Sequence, residues 1–513
     1  MGAIGRWRAA AAITALSAVA HLWRLGQRPL AHDEAIDAFF SWQARSGGIM
    51  RYDPVYHGPL RFYLEGAVLG NLGTSAFHAR LVAALAGIAA TALLAGSTRT
   101  LGRVGAPVAA LLFTVSPTVL TVTRTGREDS LVALVSIGLL LVVARALTEP
   151  RPWHLVAGGA LLAASFGLKE TTFLFGLNAL VFFLLGGAAA LRRPGAARDA
   201  ARRVGALGTQ PWVWTLCAFA VTFMVIFTSG FRYAEGLESG LLDGVRYWWS
   251  QHDVGRGGQP WFFYLAVYAG YEWLIGGVAA IGVVVVVARR RSLVGAWFVA
   301  MAVGQAALYS WAGEKFAWLA LHPLLPTVLL AGLGAQAVAD RVRAPAARRA
   351  LATVAAVGVA ITAVVAVRPA ITDGADPREL LVTVQTSVDV PPIVDRLAAG
   401  QRDGTIDSII VDQSGGGSWP WAWYLHDLEN VSYGTLDPEV LPTDFDAMIL
   451  LALELPPEAP AGYRVERFRL REWWVPDYAN AGAGDLLRWF ATREVWSPTA
   501  SADQYLVIRE ADR

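Results

Sequence analysis

Acidic and basic side chains crowd into residues 31–63, AHDEAIDAFFSWQARSGGIMRYDPVYHGPLRFY, of a 513-residue chain that is 55% hydrophobic and only 16% charged. Asp33 and Glu34 are adjacent, and Asp37 follows one helical turn on. Arg51, Tyr52, Asp53, Tyr56, His57 and Arg61 form a second polar group around Gly58-Pro59. Ionised groups this dense in so apolar a chain need water or one another. A carboxylate in such a place can take a proton from a hydroxyl. A neighbouring Arg or Lys can hold a phosphate and stabilise it as it leaves. Asp53-Pro54 and Gly58-Pro59 interrupt a helix, so the stretch predicts two short helices joined by a turn.

The elements that must position these groups are apolar. A soluble protein carries about 25% charged residues, and here long apolar runs recur at 9–23, 78–97, 104–122, 130–147, 153–168, 171–190, 211–229, 262–288, 293–311, 317–339 and 350–367. They predict a polytopic α-helical membrane protein of about eleven spans. Arg6 and Arg8 precede the first run, which places the N-terminus in the cytoplasm. Ala18-Val19-Ala20 also fits a signal-peptidase site, and with or without cleavage residue 31 onward lies outside. Arginines then populate every second connection: Arg99 and Arg103; Arg145 and Arg151; Arg192, Arg193, Arg198, Arg202 and Arg203; Arg289 to Arg291; and Arg341, Arg343, Arg348 and Arg349. That is the positive-inside pattern, and it puts a first external loop at 26–77, another at 230–261, and residues 368–513 outside the cell membrane.

On this topology four more polar groups fall on the same external face. Arg124, Arg127, Glu128 and Asp129 lie between the third and fourth spans, and Lys169-Glu170 between the fifth and sixth. Glu314-Lys315 lie between the ninth and tenth, with His322 two turns into the tenth. Each group alone fits ordinary polar turns or snorkelling side chains. The loops are so short, however, that their carboxylates stand within about a turn of the hydrocarbon, where ionisable groups are costly and functional by default. Carboxylates beside Arg and Lys at a membrane face suit sugar transfer from a polyprenyl phosphate. Asp33 is the expected base and Glu34 its support. Arg124, Arg127 and Lys169 are expected at the donor phosphate, with His57, Glu128, Asp129, Glu170, Glu314, Lys315 and His322 around the substrate. Direct attack at the anomeric carbon predicts inversion; a retaining route stays open.

The other readings are bounded. Net charge is +2, which argues against a nucleic-acid partner. Cys217 is the only cysteine, so there is neither a disulfide nor a thiolate metal cluster. His252-Asp253 lacks a partner at zinc-ligand spacing. Trp248, Trp249 and Trp261 are expected as interface anchors, or else along a lipid or sugar groove. Residues 368–513 predict a small α/β domain: LLVTVQTSV, SIIVD, AMILLAL and QYLVI as strands, IVDRLAAG and WAWYLHDL as helices. VDQSGGGSWPWAWYLHD lacks the GxGxxG and GxxxxGK patterns of nucleotide sites. Its Trp419, Trp421 and Trp423 are expected to pack on the membrane domain or to stack on acceptor sugar.

HDEAIDAFFSWQ, YHGPLRFYLEG, RTGRED, FGLKETT and GEKFAWLALHPLLP, in this order, resemble the GT-C superfamily of membrane glycosyltransferases. The branch they resemble is the dolichyl-phosphate-mannose–protein mannosyltransferases, and more narrowly the flippase-activity-associated proteins linked with archaeal N-glycosylation genes. The likeness covers about residues 1–340 well, the tail loosely. It implies a GT-C-like membrane domain over 1–367 and an extracytoplasmic α/β domain over 368–513. It also implies a polyprenyl-phosphate-sugar donor, a glycan, lipid or protein acceptor, and contact with membrane lipid. The first acidic pair maps to Asp33-Glu34, the proposed base of the superfamily or, in some branches, a metal ligand, so a divalent metal is possible. The second maps to Glu128-Asp129. The family's His-Pro-Pro-like turn is His57-Gly58-Pro59, with Gly in place of Pro. A transporter or flippase, or a non-catalytic subunit of glycan assembly, is the alternative. A transporter would favour midplane charges and an inverted repeat, and the sequence shows neither.

Overall fold

The computed structural model describes residues 3–45, 48–192, 195–250, 254–289, 292–452 and 457–510. His252-Asp253 therefore lie outside the described residues. The chain is a helical membrane protein with a sheet domain at its C-terminal end. Among the described residues seven helices are long and apolar enough to cross a membrane, and nine if each of two bent pairs counts as one span. The other two predicted spans are also helical, at Ala3–Leu22 (α1) and Pro152–Phe166. Neither meets that measure of length and hydropathy, so the expected eleven spans correspond to nine by this test. The helix Ala317–Arg341 forms the hub, with 83% of its most apolar window buried. Thr172–Arg192 and Pro345–Thr372 lie at the periphery with 6% and 11%.

The two bent spans have identifiable causes. Gly105–Val115 and Pro117–Thr123 meet at 65°, where Pro117 cannot continue the backbone ladder and Ser116 caps the new helix by accepting from the Val119 N–H. Phe263–Tyr271 and Trp273–Ala288 meet at 103° across Glu272. Glu272 ties the breaks together: its Oε1 accepts from Ser116 Oγ at 2.7 Å and from Thr118 N at 2.9 Å. The connection Arg124–Glu128 that follows is thus held from below by a second span.

The opening stretch forms the two short helices expected of it, His32–Ala44 (α2) and Leu60–Leu72 (α3), ahead of the first long span Ala76–Gly96 (α4). α2 buries Ala35 and Ala38 against Leu69 of α3, Ala79 of α4 and Trp423 of the tail.

Among the described residues the tail holds six strands: β1 (Gln385–Thr386), β2 (Ile409–Asp412), β3 (Val431–Gly434), β4 (Ala447–Leu451), β5 (Tyr463–Trp473) and β6 (Ala500–Arg509). They form one mixed sheet in the order β1-β5-β6-β4-β2-β3, with β2 parallel to both β3 and β4. Of the predicted strand LLVTVQTSV only Gln385–Thr386 pairs, because its apolar first half is spent against the membrane domain: Leu380 and Leu381 pack with Tyr264 and Tyr271. β3 and β5 were not anticipated, and WAWYLHDL makes a single helical turn at Trp421–Tyr424. The tail is fastened at two places. Glu379 accepts from Tyr271 Oη at 2.6 Å and from Arg493 Nε at 2.8 Å. Tyr424 Oη accepts from the Leu30 N–H at 2.7 Å, and Gln385 Nε2 donates to the Pro29 carbonyl at 2.9 Å.

Candidate active site

Three connections carry the charges, and the fold brings them together. Asp33 and Asp37 lie one turn apart on α2 and so share a face. Arg127 and Glu128 end the connection before the helix Asp129–Thr148, and Lys169-Glu170 sit between Pro152–Phe166 and Thr172–Arg192. The Arg127 guanidinium pairs with Asp33 at 2.8 Å and with Glu128 at 3.3 Å, and lies 3.8 Å from Asp37 and from Asp129. Lys169 Nζ donates to Glu128 at 2.7 Å and to both oxygens of Asp129 at 2.8 and 2.9 Å. His322 Nε2 is 3.0 Å from Asp129. His57 lies 2.6 Å from Glu170 and 3.5 Å from Glu128, and Tyr52 Oη donates to Glu170 at 2.6 Å.

The turn that presents His57 depends on its glycine. His57 is in the left-handed region at φ +66°. The following Gly58 N–H donates to the Leu168 carbonyl at 3.1 Å and Leu60 N–H to that of Gly167 at 3.0 Å. A Cβ on Gly58 would stand 2.2 Å from the Gly167 oxygen. Gly in place of the family's Pro therefore lets the His57 turn lie directly on the turn that carries Lys169.

A fourth cation joins from α3. Arg61 is fully buried, 2.7 Å from Asp37, 3.6 Å from Glu128 and 3.8 Å from Glu65. Its three nitrogens, Arg127 Nε, Asp37 Oδ2, Glu65 Oε1 and Glu128 Oε2 are buried without a hydrogen-bond partner. An unpaired buried polar atom costs roughly 1–3 kcal/mol, so such atoms gathered at one place call for an explanation. Six carboxylates here meet Arg61, Arg127 and Lys169, and their surroundings shift them in different directions. Burial opposes ionisation of His57, but Glu128 and Glu170 outweigh it and raise its pKa. Burial raises Asp37 and pushes Glu65 up to about 8 against the pull of Arg61. Glu128 goes the other way: Arg127 and Lys169 overcome its burial and hold it well below the usual carboxylate range.

Asp33 differs from the rest. Its side chain is 36% exposed, whereas those of Glu128 and Asp129 are fully buried. It opens on a cavity of about 50 Å³ with Arg28, Arg127, Asp129, Trp318 and the tail segment Leu381–Gln385 around it. The Trp318 ring lies beneath the Arg127 guanidinium at 5.0 Å.

Several expected site residues are used otherwise. Glu34 is fully buried and faces away from the cavity. Burial would raise its pKa, but two bonds from Arg80, at 2.5 and 2.7 Å, win and hold it at about 2. It also accepts from the Gly126 N–H at 2.7 Å, so it braces the Arg127 connection. Arg124, expected at the phosphate, instead donates to the carbonyls of Ala20, His21, Trp23 and Ala370, because the last carbonyls of α1 lack partners of their own. Glu314 and Lys315 lie beside Arg256 in a short parallel bridge and form no ion pair with the network. Trp248 stacks on His57 at 5.7 Å and 5°, so it lines the site rather than anchoring at the interface, while Trp249 and Trp261 are 83% and 67% exposed. Sequence reasoning left Asp37, Arg61, Glu65 and Arg80 without roles; their signal is an ionisable group inside an otherwise apolar helix. Among the described residues no group of three or more His, Cys, Asp or Glu side chains is arranged to hold a metal ion.

Comparison places this geometry among known folds. Residues 56–201 match the family model described as dolichyl-phosphate-mannose-protein mannosyltransferase. No curated protein sequence matches the chain. Among solved structures it is similar to ArnT from Cupriavidus metallidurans bound to undecaprenyl phosphate, with a TM-score of 0.52 and 18% identity over 81% of this chain and 75% of that one. It is also similar to the oligosaccharyltransferase of Archaeoglobus fulgidus in its apo form, with a TM-score of 0.56 and 12% identity over 84% of this chain and 64% of that one. The chain has the GT-C fold. The narrower likeness to flippase-activity-associated proteins rests on the sequence motifs alone.

Proposed function

We propose that this chain is a membrane glycosyltransferase that moves a sugar from a polyprenyl-phosphate donor to a hydroxyl of an acceptor on the extracytoplasmic face of the cell membrane. The observation that carries the proposal is the juxtaposition of a partly exposed carboxylate, Asp33, with Arg127 at one cavity, backed by Lys169 and His57. Asp33 takes the acceptor's hydroxyl proton. The oxygen attacks the anomeric carbon as the bond from that carbon to the phosphate oxygen breaks, so configuration inverts. The electron pair leaves on the lipid phosphate, where Arg127 stabilises the developing charge. Lys169, His57 and Arg61 keep Glu128 and Asp129 from repelling that anion.

The donor phosphate adds negative charge to a site already rich in acids, so the cations must turn from the carboxylates toward it. The incomplete hydrogen bonding of Arg61 and of Arg127 Nε, which are held by ion pairs instead, supports that reading. The cavity of about 50 Å³ is also smaller than the roughly 300 Å³ at which ligand pockets begin, so binding requires the tail segment Leu381–Gln385 to move.

The test is sugar transfer from a polyprenyl-phosphate donor by purified protein in nanodiscs. Asp33→Asn keeps the shape but cannot accept the proton, and turnover is expected to fall at least about a hundredfold with the melting temperature kept. Near-normal turnover in Asp33→Asn would reject the base; no donor consumption by the wild type would reject the enzyme.

A further inference from the structure

The three tryptophans of the Gly-rich turn go to three different places. Trp421 enters the sheet core, its Nε1 donating to Gln504 at 2.7 Å. Trp423 is buried against α2 and stacks on His426 at 4.7 Å. Trp419 stays half-buried and meets Phe39 at 5.5 Å and Phe40 at 5.9 Å. Phe40 meets Tyr56 at 4.7 Å, and Phe39, Phe40 and Tyr56 are likewise half-buried. Four rings from three segments thus form one aromatic patch whose burial is incomplete.

Its position relates it to the cavity. Asp33, Asp37 and Phe40 fall at i, i+4 and i+7 of α2, on one stripe, and Tyr56 precedes His57. Burial, and then the Asp53 and Asp37 carboxylates, raise the pKa of the Tyr56 hydroxyl. Gly415 and Gly416, at φ +56° and +77°, are exposed just before Trp419, whose N–H donates to the Gly416 carbonyl at 3.3 Å.

We infer that this patch is the acceptor subsite and that the acceptor is a neutral glycan of more than one sugar ring. The inference rests on the glycosyltransferase reading and adds the class of its second substrate. Ring faces carry negative potential and suit the C–H face of a sugar; carboxylates suit its hydroxyls. A phosphate or other anion meets carboxylates here and is disfavoured. An isoprenoid chain belongs in the hydrocarbon, whereas neither α2, the 45–59 connection nor the tail turn is a span. Phe40 stands seven residues from Asp33, about 10 Å along the helix axis, so a single ring on the patch does not present its hydroxyl to Asp33.

The experiment is saturation-transfer NMR on the full chain in nanodiscs with mannotriose, cellotriose, chitotriose and the three monosaccharides. At least one trisaccharide is expected to take up saturation at its ring C–H protons, more than its monosaccharide does. Trp419→Ala and Phe40→Ala should each weaken it by about fivefold, and Trp419→Phe should restore it, which separates loss of stacking from misfolding. Uptake by no trisaccharide, or uptake unchanged in Trp419→Ala, overturns the inference, as does competition by farnesyl phosphate. Donor consumption measured on the same samples keeps the two readings apart: trisaccharide binding without donor consumption would spare the subsite and sink the donor.

Discussion

Asp33 and Glu34 are neighbours in sequence with opposite fates, because on a helix adjacent side chains point about 100° apart. Glu34→Gln leaves Arg80 buried with a weakened partner. It is expected to cost up to about 3–5 kcal/mol, read as a lower melting temperature, whereas Asp33→Asn should leave that temperature in place. Glu65 offers a prediction in pH. Its pKa rises from 4.5 to about 8, so between those values the folded protein keeps a proton that the unfolded chain has lost. Stability therefore falls as pH rises through that window. Glu65→Gln removes the dependence, and its melting temperature should gain on the wild type progressively up to pH 8; a constant difference would show that Glu65 is already ionised. Asp33, Arg127 and Lys169 were legible in the sequence because charges in short loops of an apolar chain stand out. Arg61 and Arg80 were not, since a single Arg in a helix also fits a snorkelling role, and only the folded partners Asp37 and Glu34 show otherwise.

At the scale of elements, the site is a matter of turns seated on turns. The His57 turn rests on Gly167–Leu168 through two backbone hydrogen bonds, at a separation that admits no Cβ on Gly58. Gly58→Ala should push the turns apart, cost roughly 1–3 kcal/mol of overpacking and lower donor turnover more than it lowers the melting temperature. Both effects can be measured on one nanodisc sample, and full activity in Gly58→Ala would show that the contact is dispensable. Apolar runs located all nine spans that are long and apolar enough among the described residues. The bends at Ser116 and Glu272 were hidden, because a break leaves the run apolar and only the Glu272–Ser116 bond reveals that the two spans are coupled. β5 was missed for the opposite reason. Its RVERFRLREW has charges at most outward positions and only Phe468 and Leu470 buried, so a pattern search for apolar runs passes over it.

For the whole molecule, the arginine pattern still predicts that the tail lies outside the cytoplasm. A reporter that is active only outside, fused after Arg513, should be active and its cytoplasmic counterpart silent; the reverse result would move the cavity to the other face. The tail's sheet class was legible from its apolar segments. Its grip on the membrane part was not, since Glu379, Gln385 and Tyr424 look like ordinary surface residues until their partners Tyr271, Pro29 and Leu30 are placed. That grip has a consequence in time. The cavity's floor, with Asp33 and Arg127, leaves the ribosome early, while the wall Leu381–Gln385 emerges some 250 residues later, on the order of ten seconds or more at ordinary synthesis rates. The strands that anchor the wall come later still. A nascent chain would thus pass through the membrane machinery with its charges gathered but its cavity unfinished, and the proposed chemistry would wait until the wall and its strands have been made.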